Sequence, residues 1–133
     1  MRTLGWIGLG SGLGGVARLL MIATIPAVAE GAFPLGILMV NLAGSALIGA
    51  LAAGIASKQR MPAAPRWNAF FMTGFCGGFT TFSFFSLETW QLIEAGQLEW
   101  AVVYSLSTMG GSVLAAGVGY ASIHRLWKDD CAA

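Results

Sequence analysis

The chain has 133 residues, of which 56% are hydrophobic and 10% charged, where soluble domains carry about 25% charged residues. That composition excludes an ordinary soluble domain and gives a membrane protein of one domain's length, residues 1–133. A net charge of +1 argues against a nucleic-acid partner. The cysteines Cys76 and Cys131 and the lone His124 fit no zinc spacing and no disulfide framework.

The first apolar segment runs from Leu4 to about Ile25, enough to span roughly 30 Å of hydrocarbon as a helix. Arg2, the apolar run and Ala27-Val28-Ala29 imitate a cleavable secretory signal. Arg18 inside the run and three further spans oppose that reading. Gly10-Ser11-Gly12-Leu13-Gly14-Gly15 matches the dinucleotide fingerprint, but no βαβ pattern surrounds it. Gly8/Gly12 and Gly10/Gly14 both have the spacing that lets membrane helices approach closely. Arg18 costs about 3 kcal/mol to insert and is a functional candidate on that ground. Snorkelling to an interface is the other reading.

Thr24–Ala32 reads as a short loop carrying Glu30. The second span runs from about Pro34, suited to a first helical turn, to Ala56. Its strongly polar residue is Asn41, with Ser45 one turn later on the same face. An amide in hydrocarbon needs a partner. It either bonds a neighbouring helix or lines a pore and offers N–H donors. Ser57–Arg66 reads as a polar loop.

The third span, about Trp67–Ile93, contains Gly74-Phe-Cys-Gly-Gly-Phe-Thr-Thr-Phe-Ser-Phe-Phe-Ser86. Gly74, Gly77 and Gly78 each weaken a helix by about 1 kcal/mol against alanine, which predicts a break at its centre. Backbone freed there must be buried in protein or line a cavity, and broken membrane helices recurrently build ion sites near the midplane. Close helix packing is the competing use of the same residues. Beyond the break, Phe82, Phe85 and Glu88 recur every third residue on one face.

After a short acidic loop, Glu94–Glu99, the fourth span covers about Trp100–Ile123. Tyr104, Thr108 and Ser112 form one hydroxyl stripe along it. The tail from His124 reads as polar and loose. Four spans put the N-terminus, the 57–66 loop and the C-terminus on one side. That side holds Arg2, Lys58, Arg60, Arg66, Arg125 and Lys128, and the other holds no Lys or Arg. The positive-inside rule then places both termini in the cytoplasm.

Taken together, these residues closely resemble the Fluc (CrcB) family of fluoride channels. The resemblance covers nearly the whole chain. It rests on the run ending in Arg18, on Asn41 in an Asn-Leu-x-Gly context, and above all on Gly74-Phe75-x-Gly77-Gly78-x-Thr80-Thr81-Phe82-Ser83-x-Phe85-Ser86 followed by Glu88. It implies an all-α fold of four transmembrane helices per subunit, the third broken at its centre, in an antiparallel dual-topology dimer in the bacterial inner membrane. It implies passive fluoride export through pores at the dimer interface, which protects the cell from fluoride toxicity. Asn41, Phe82, Phe85, Glu88, Tyr104, Thr108 and Ser112 map to the pore, with Arg18 buried or facing a vestibule. A structural sodium ion at the dimer centre is implied, held by the backbone carbonyls of Gly77 and Thr80. Phe84 departs from the family pattern, which commonly has a small or hydroxyl residue there. The strong Lys/Arg bias is a second departure. An antiparallel homodimer is the expected assembly of the purified protein, and pairing with an oppositely biased relative is the alternative in the cell.

Two other classes fit four short spans: a small dual-topology multidrug-type exporter and a non-transporting assembly subunit. The exporter would need a carboxylate in the first helix, which carries Arg18 instead. No nucleophile, base and orienting group can be assembled into an enzyme from His124, Cys76 and Glu88.

Overall fold

The structure, a computed structural model, describes residues 2–25, 33–56 and 65–130. The expected loop residues Glu30, Lys58 and Arg60 lie outside the described residues. Helix α1 (Arg2–Thr24) and helix α2 (Leu35–Ala56) form the first two spans. Pro34 sits just before α2, and its carbonyl accepts from Leu38 at 3.5 Å.

The third span is built from four pieces. Helix α3 (Pro65–Asn68) passes into a π-helix (Ala69–Cys76) and then into the single turn α4 (Gly77–Phe79). Helix α5 (Phe82–Glu94) follows, and α6 (Leu98–Asp130) forms the fourth span. Each of the four spans is long and apolar enough to cross a membrane. Two expectations are corrected. Arg66 lies in α3, not in the preceding loop. The tail is not loose from His124: α6 continues to Asp130. Its 33 residues reach about 50 Å at 1.5 Å per residue, well beyond the hydrocarbon.

Helix α1 packs against the π-helix and α4 through glycine. A β-carbon on Gly10 would stand 2.3 Å from the Phe70 carbonyl oxygen, and one on Gly14 would stand 2.2 Å from that of Phe75. From the other side, a β-carbon on Gly78 would meet the Ser11 carbonyl at 2.3 Å. The two backbones touch only because these side chains are absent. Gly8 and Gly12 have nothing within 4 Å, so one of the two glycine pairs read from the sequence makes this contact. The fingerprint-like run of glycines lies wholly within α1. The Ser11 hydroxyl also donates to the Gly74 carbonyl at 3.3 Å, inside the π-helix.

Helix α2 packs on α6 in the same manner, with Gly49 against Ala116 and Gly119 against Ala46. Ile37, Leu38, Phe85, Leu92, Ala101 and Tyr104 form the buried core beside this contact. The α5–α6 corner is a Schellman turn: Gly96 N–H bonds Ile93 C=O and Gln97 N–H bonds Leu92 C=O, both at 2.9 Å. Gly96 takes φ +73° there, where a side chain would be strained.

Candidate functional site

The break falls at Thr80 and Thr81, both extended, with φ/ψ of −75°/161° and −150°/128°. Two residues so placed interrupt the helical ladder after Thr80, and several of the polar groups at the break have identifiable partners. The Thr80 N–H and hydroxyl both return to the Cys76 carbonyl, at 2.9 and 2.8 Å. Thr81 is the N-cap of α5, its hydroxyl accepting from Phe84 N–H at 3.3 Å. Its backbone pairs at two points with Asn41: Thr81 N–H donates to Asn41 Oδ1 at 2.9 Å, and Asn41 Nδ2 donates to the Thr81 carbonyl at 3.1 Å. An unmet buried group would cost about 1–3 kcal/mol, so Asn41 stabilises the break. Gly44, one turn along α2, leaves room for the Thr80 methyl, which would lie 2.3 Å from a β-carbon there.

These bonds decide which carbonyls remain free. In an unbroken helix, Thr81 N–H would close on Gly77 C=O and Phe84 N–H on Thr80 C=O. Both amides are committed elsewhere. The Gly77 and Thr80 carbonyls, the two that the sequence resemblance assigns to sodium, are thus among those left without an intrahelical donor by the break. Gly77 has nothing within 4 Å on its side-chain face. Such a donor set fits a hard cation, which takes oxygen ligands. The Thr80 oxygen is shared, since Arg18 Nη1 donates to it at 3.4 Å.

Beside the break lies a cleft of about 390 Å³. Five of the sequence-predicted pore residues meet in its lining: Asn41, Phe82, Phe85, Thr108 and Ser112. Ser45, Thr80 and Thr81 add hydroxyls, and Met109 and Val113 add apolar wall. Ser45 was legible as the residue one turn from Asn41. Met109 and Val113 carried no chemical signal. With one N–H spent on Thr81, the Asn41 amide keeps one for the cleft. Thr108 is buried, and among the described residues its Oγ1 has no hydrogen-bond partner. The Phe82 and Phe85 rings are 5.5 Å apart. Phe85 is 7% exposed and Phe82 is 73% exposed, so the protomer leaves the cleft open along the Phe82 side.

Glu88 and Tyr104 lie behind this lining. Tyr104 donates its hydroxyl to Glu88 Oε2 at 2.6 Å. Its ring is fully buried, tilted against Phe85 at 5.3 Å and edge-on to Phe33 at 5.6 Å. Arg18 lies in neither group. It lines a second cavity of about 510 Å³ with Ser11, Gly77, Thr80, Ser83 and Phe84. Its guanidinium stands 5.5 Å from the centre of the Phe84 ring. Within the described residues Arg18 contacts Thr80 and Phe84 while Glu88 contacts Tyr104, and the two charges do not pair.

A family model described as CrcB-like protein, Camphor Resistance (CrcB), matches residues 5–120. The chain belongs to the CrcB family. Its relatives include proteins named fluoride-specific ion channel FluC. The one from Rhizobium meliloti is 44% identical over 115 residues, covering 86% of this chain and 90% of the relative. The one from Paramagnetospirillum magneticum is 38% identical over 120 residues, covering 90% and 94%. That of Granulibacter bethesdensis is 42% identical over 104 residues, covering 78% and 80%. As a CrcB protein the chain is a multi-pass membrane protein with four spans, and not an enzyme.

Proposed function

We propose that this CrcB protein is a fluoride channel of the bacterial inner membrane. It lets fluoride leave the cell passively and so protects the cell from fluoride toxicity. The observation that carries the reading is the cleft at the helix break, where N–H and O–H donors and phenyl rings converge in a protein whose relatives are named fluoride-specific channels. Fluoride is small and strongly hydrated, so a pore must replace its water. The spare Asn41 N–H and the Thr108 and Ser112 hydroxyls supply donors. The edges of the Phe82 and Phe85 rings carry the positive part of the quadrupole. Several weak sites release an ion more readily than one deep site, as conduction requires. Glu88 acts beside the path through its bond to Tyr104.

The pore is completed by a second subunit. The open side of the cleft, where Phe82 is exposed, is closed in an antiparallel homodimer, giving two pores at the interface. At the dimer centre the Gly77 and Thr80 carbonyls of both subunits hold a structural sodium ion. Bound there, it supplies a fixed positive charge and ties the two helix breaks together. The six Lys and Arg biased to one side of the membrane leave pairing with an oppositely oriented relative as the arrangement to test in cells. Labelling a single cysteine introduced between residues 57 and 64 of a variant lacking Cys76 and Cys131 distinguishes the two, because dual insertion labels from both sides.

The multidrug-type exporter has less support, since α1 carries no carboxylate. Fluoride efflux from liposomes, read with an electrode, separates a channel from both the exporter and an assembly subunit.

A further inference from the structure

We propose that Phe84 is a positioning residue that holds the Arg18 guanidinium at the Thr80 carbonyl, where it competes with the central cation and weakens its binding. The inference rests on the sodium reading above and goes beyond it. It names the side chains of this chain that set how tightly the ion is held.

Three observations meet at Arg18. Its Nη1 donates to the Thr80 carbonyl at 3.4 Å. Its guanidinium carbon stands 5.5 Å from the centre of the Phe84 ring. Among the described residues, the lining of its cavity contains no carboxylate. No anion among the described residues of that lining offsets the guanidinium. At 3.4 Å the hydrogen bond is long and weak alone, so the ring contact has to supply the rest of the hold. An arginine within about 6 Å of a ring centre is attracted by the ring's quadrupole, more strongly where water is scarce.

The two anchors sit on opposite sides of the break. Thr80 ends the first half of the third span, and Phe84 is in the first turn of α5. Arg18 therefore bridges the gap from α1. A carbonyl oxygen has two lone pairs, so Thr80 can accept from Arg18 and also ligate a cation. Two positive charges on one oxygen nevertheless repel at short range, and a low-dielectric setting strengthens the repulsion. With a small or hydroxyl residue at position 84, the guanidinium would lose its platform and leave the oxygen to the cation. Phe84 is 47% exposed on the protomer, so its ring is not fixed there as core packing.

The test measures cation-linked stability, not flux. The purified dimer in detergent is melted by tryptophan fluorescence across a sodium series, with choline holding ionic strength constant. The apparent sodium Kd, fitted from the stabilisation RT ln(1 + [Na+]/Kd) across the series, is compared among variants. Phe84→Leu lowers that Kd at least about 2.3-fold, the low end of a cation–π contact. Phe84→Tyr keeps the ring and stays within about twofold of wild type. Arg18→Gln removes the competing charge and shifts in the same direction, and adding Phe84→Leu to it gives little further shift. An unchanged apparent Kd in Phe84→Leu, or the same shift with and without Arg18, overturns the proposal while leaving the sodium site standing. A wild-type Tm that ignores sodium overturns the sodium reading and this inference together.

Discussion

Asn41 on α2 and Thr81 at the break of the third span are joined by two hydrogen bonds, at 2.9 and 3.1 Å, that pair the amide with both backbone groups of Thr81. The side chain acts as a one-residue strand, completing an extended segment that no helix can satisfy. Asn41 thus does two jobs: it holds the break open and leaves one N–H facing the cleft. Asn41→Asp should abolish fluoride flux, since an ionised carboxylate repels the anion and donates nothing. It should also lower stability by about 1–3 kcal/mol, because the Thr81 carbonyl loses its donor. Flux and Tm measured on one preparation check both effects. Undiminished flux would leave Asn41 a purely structural role.

Phe82 and Phe85 share the cleft but differ in burial, which separates their phenotypes. Phe82→Ile should cut flux sharply at a smaller cost in Tm than Phe85→Ile, since Phe82 is 73% exposed on the protomer. Phe85→Ile should cut flux and also lower stability by about 1–2 kcal/mol, as it loosens packing around Tyr104. Efflux assays beside melting curves test the split, and wild-type flux in both variants would reduce the rings to packing.

Much of this site was legible in the sequence. The four spans show as apolar runs, and the cluster of glycines and hydroxyls marks the break. The polar residues Asn41, Thr108 and Ser112 stand out because hydrocarbon makes them costly. What was not legible depends on pairing across distance or on small changes of helical pitch. The bond between Asn41 and Thr81 joins residues 40 apart. The widened turns of Ala69–Cys76 leave no mark on apolar periodicity in a segment whose side chains are apolar apart from Thr73. Tyr104 shares the stripe of Thr108 and Ser112, yet Phe85 and Phe33 cover it, and only packing shows which hydroxyl faces the cleft. The end of α6 was misplaced because the span was measured against the membrane, whereas its helix continues past Trp127 into charged residues.

The Tyr104 hydroxyl and the Glu88 carboxylate, 2.6 Å apart, give a third prediction. Tyr104→Phe should cost about 1.5–3 kcal/mol, the range for a hydrogen bond to a charged group, and should reduce flux by freeing Glu88. Glu88→Gln retains an acceptor for Tyr104 and should recover most of the stability without the charge. Equal Tm values for Tyr104→Phe and wild type would show that the bond contributes nothing.

The glycine contacts make a fourth, purely steric prediction. Gly10→Ala places a methyl 2.3 Å from the Phe70 carbonyl, so α1 and the π-helix must move apart. Overpacking of this kind costs about 1–3 kcal/mol. Gly12→Ala meets nothing within 4 Å and should be neutral within the protomer or slightly stabilising through helix propensity. Denaturation of the two variants in the same detergent compares them, and equal loss in both would contradict the packing described.

The central claim is that this cleft conducts fluoride. Liposomes carrying the purified protein, loaded with potassium fluoride or potassium chloride and diluted into an impermeant salt, test it with an ion-selective electrode after valinomycin is added. The account predicts rapid fluoride release that needs no proton gradient, little chloride release, and loss of the fluoride signal in Phe82→Ile. Fluoride release no faster than from protein-free liposomes, by a protein that runs as a folded dimer, would contradict it.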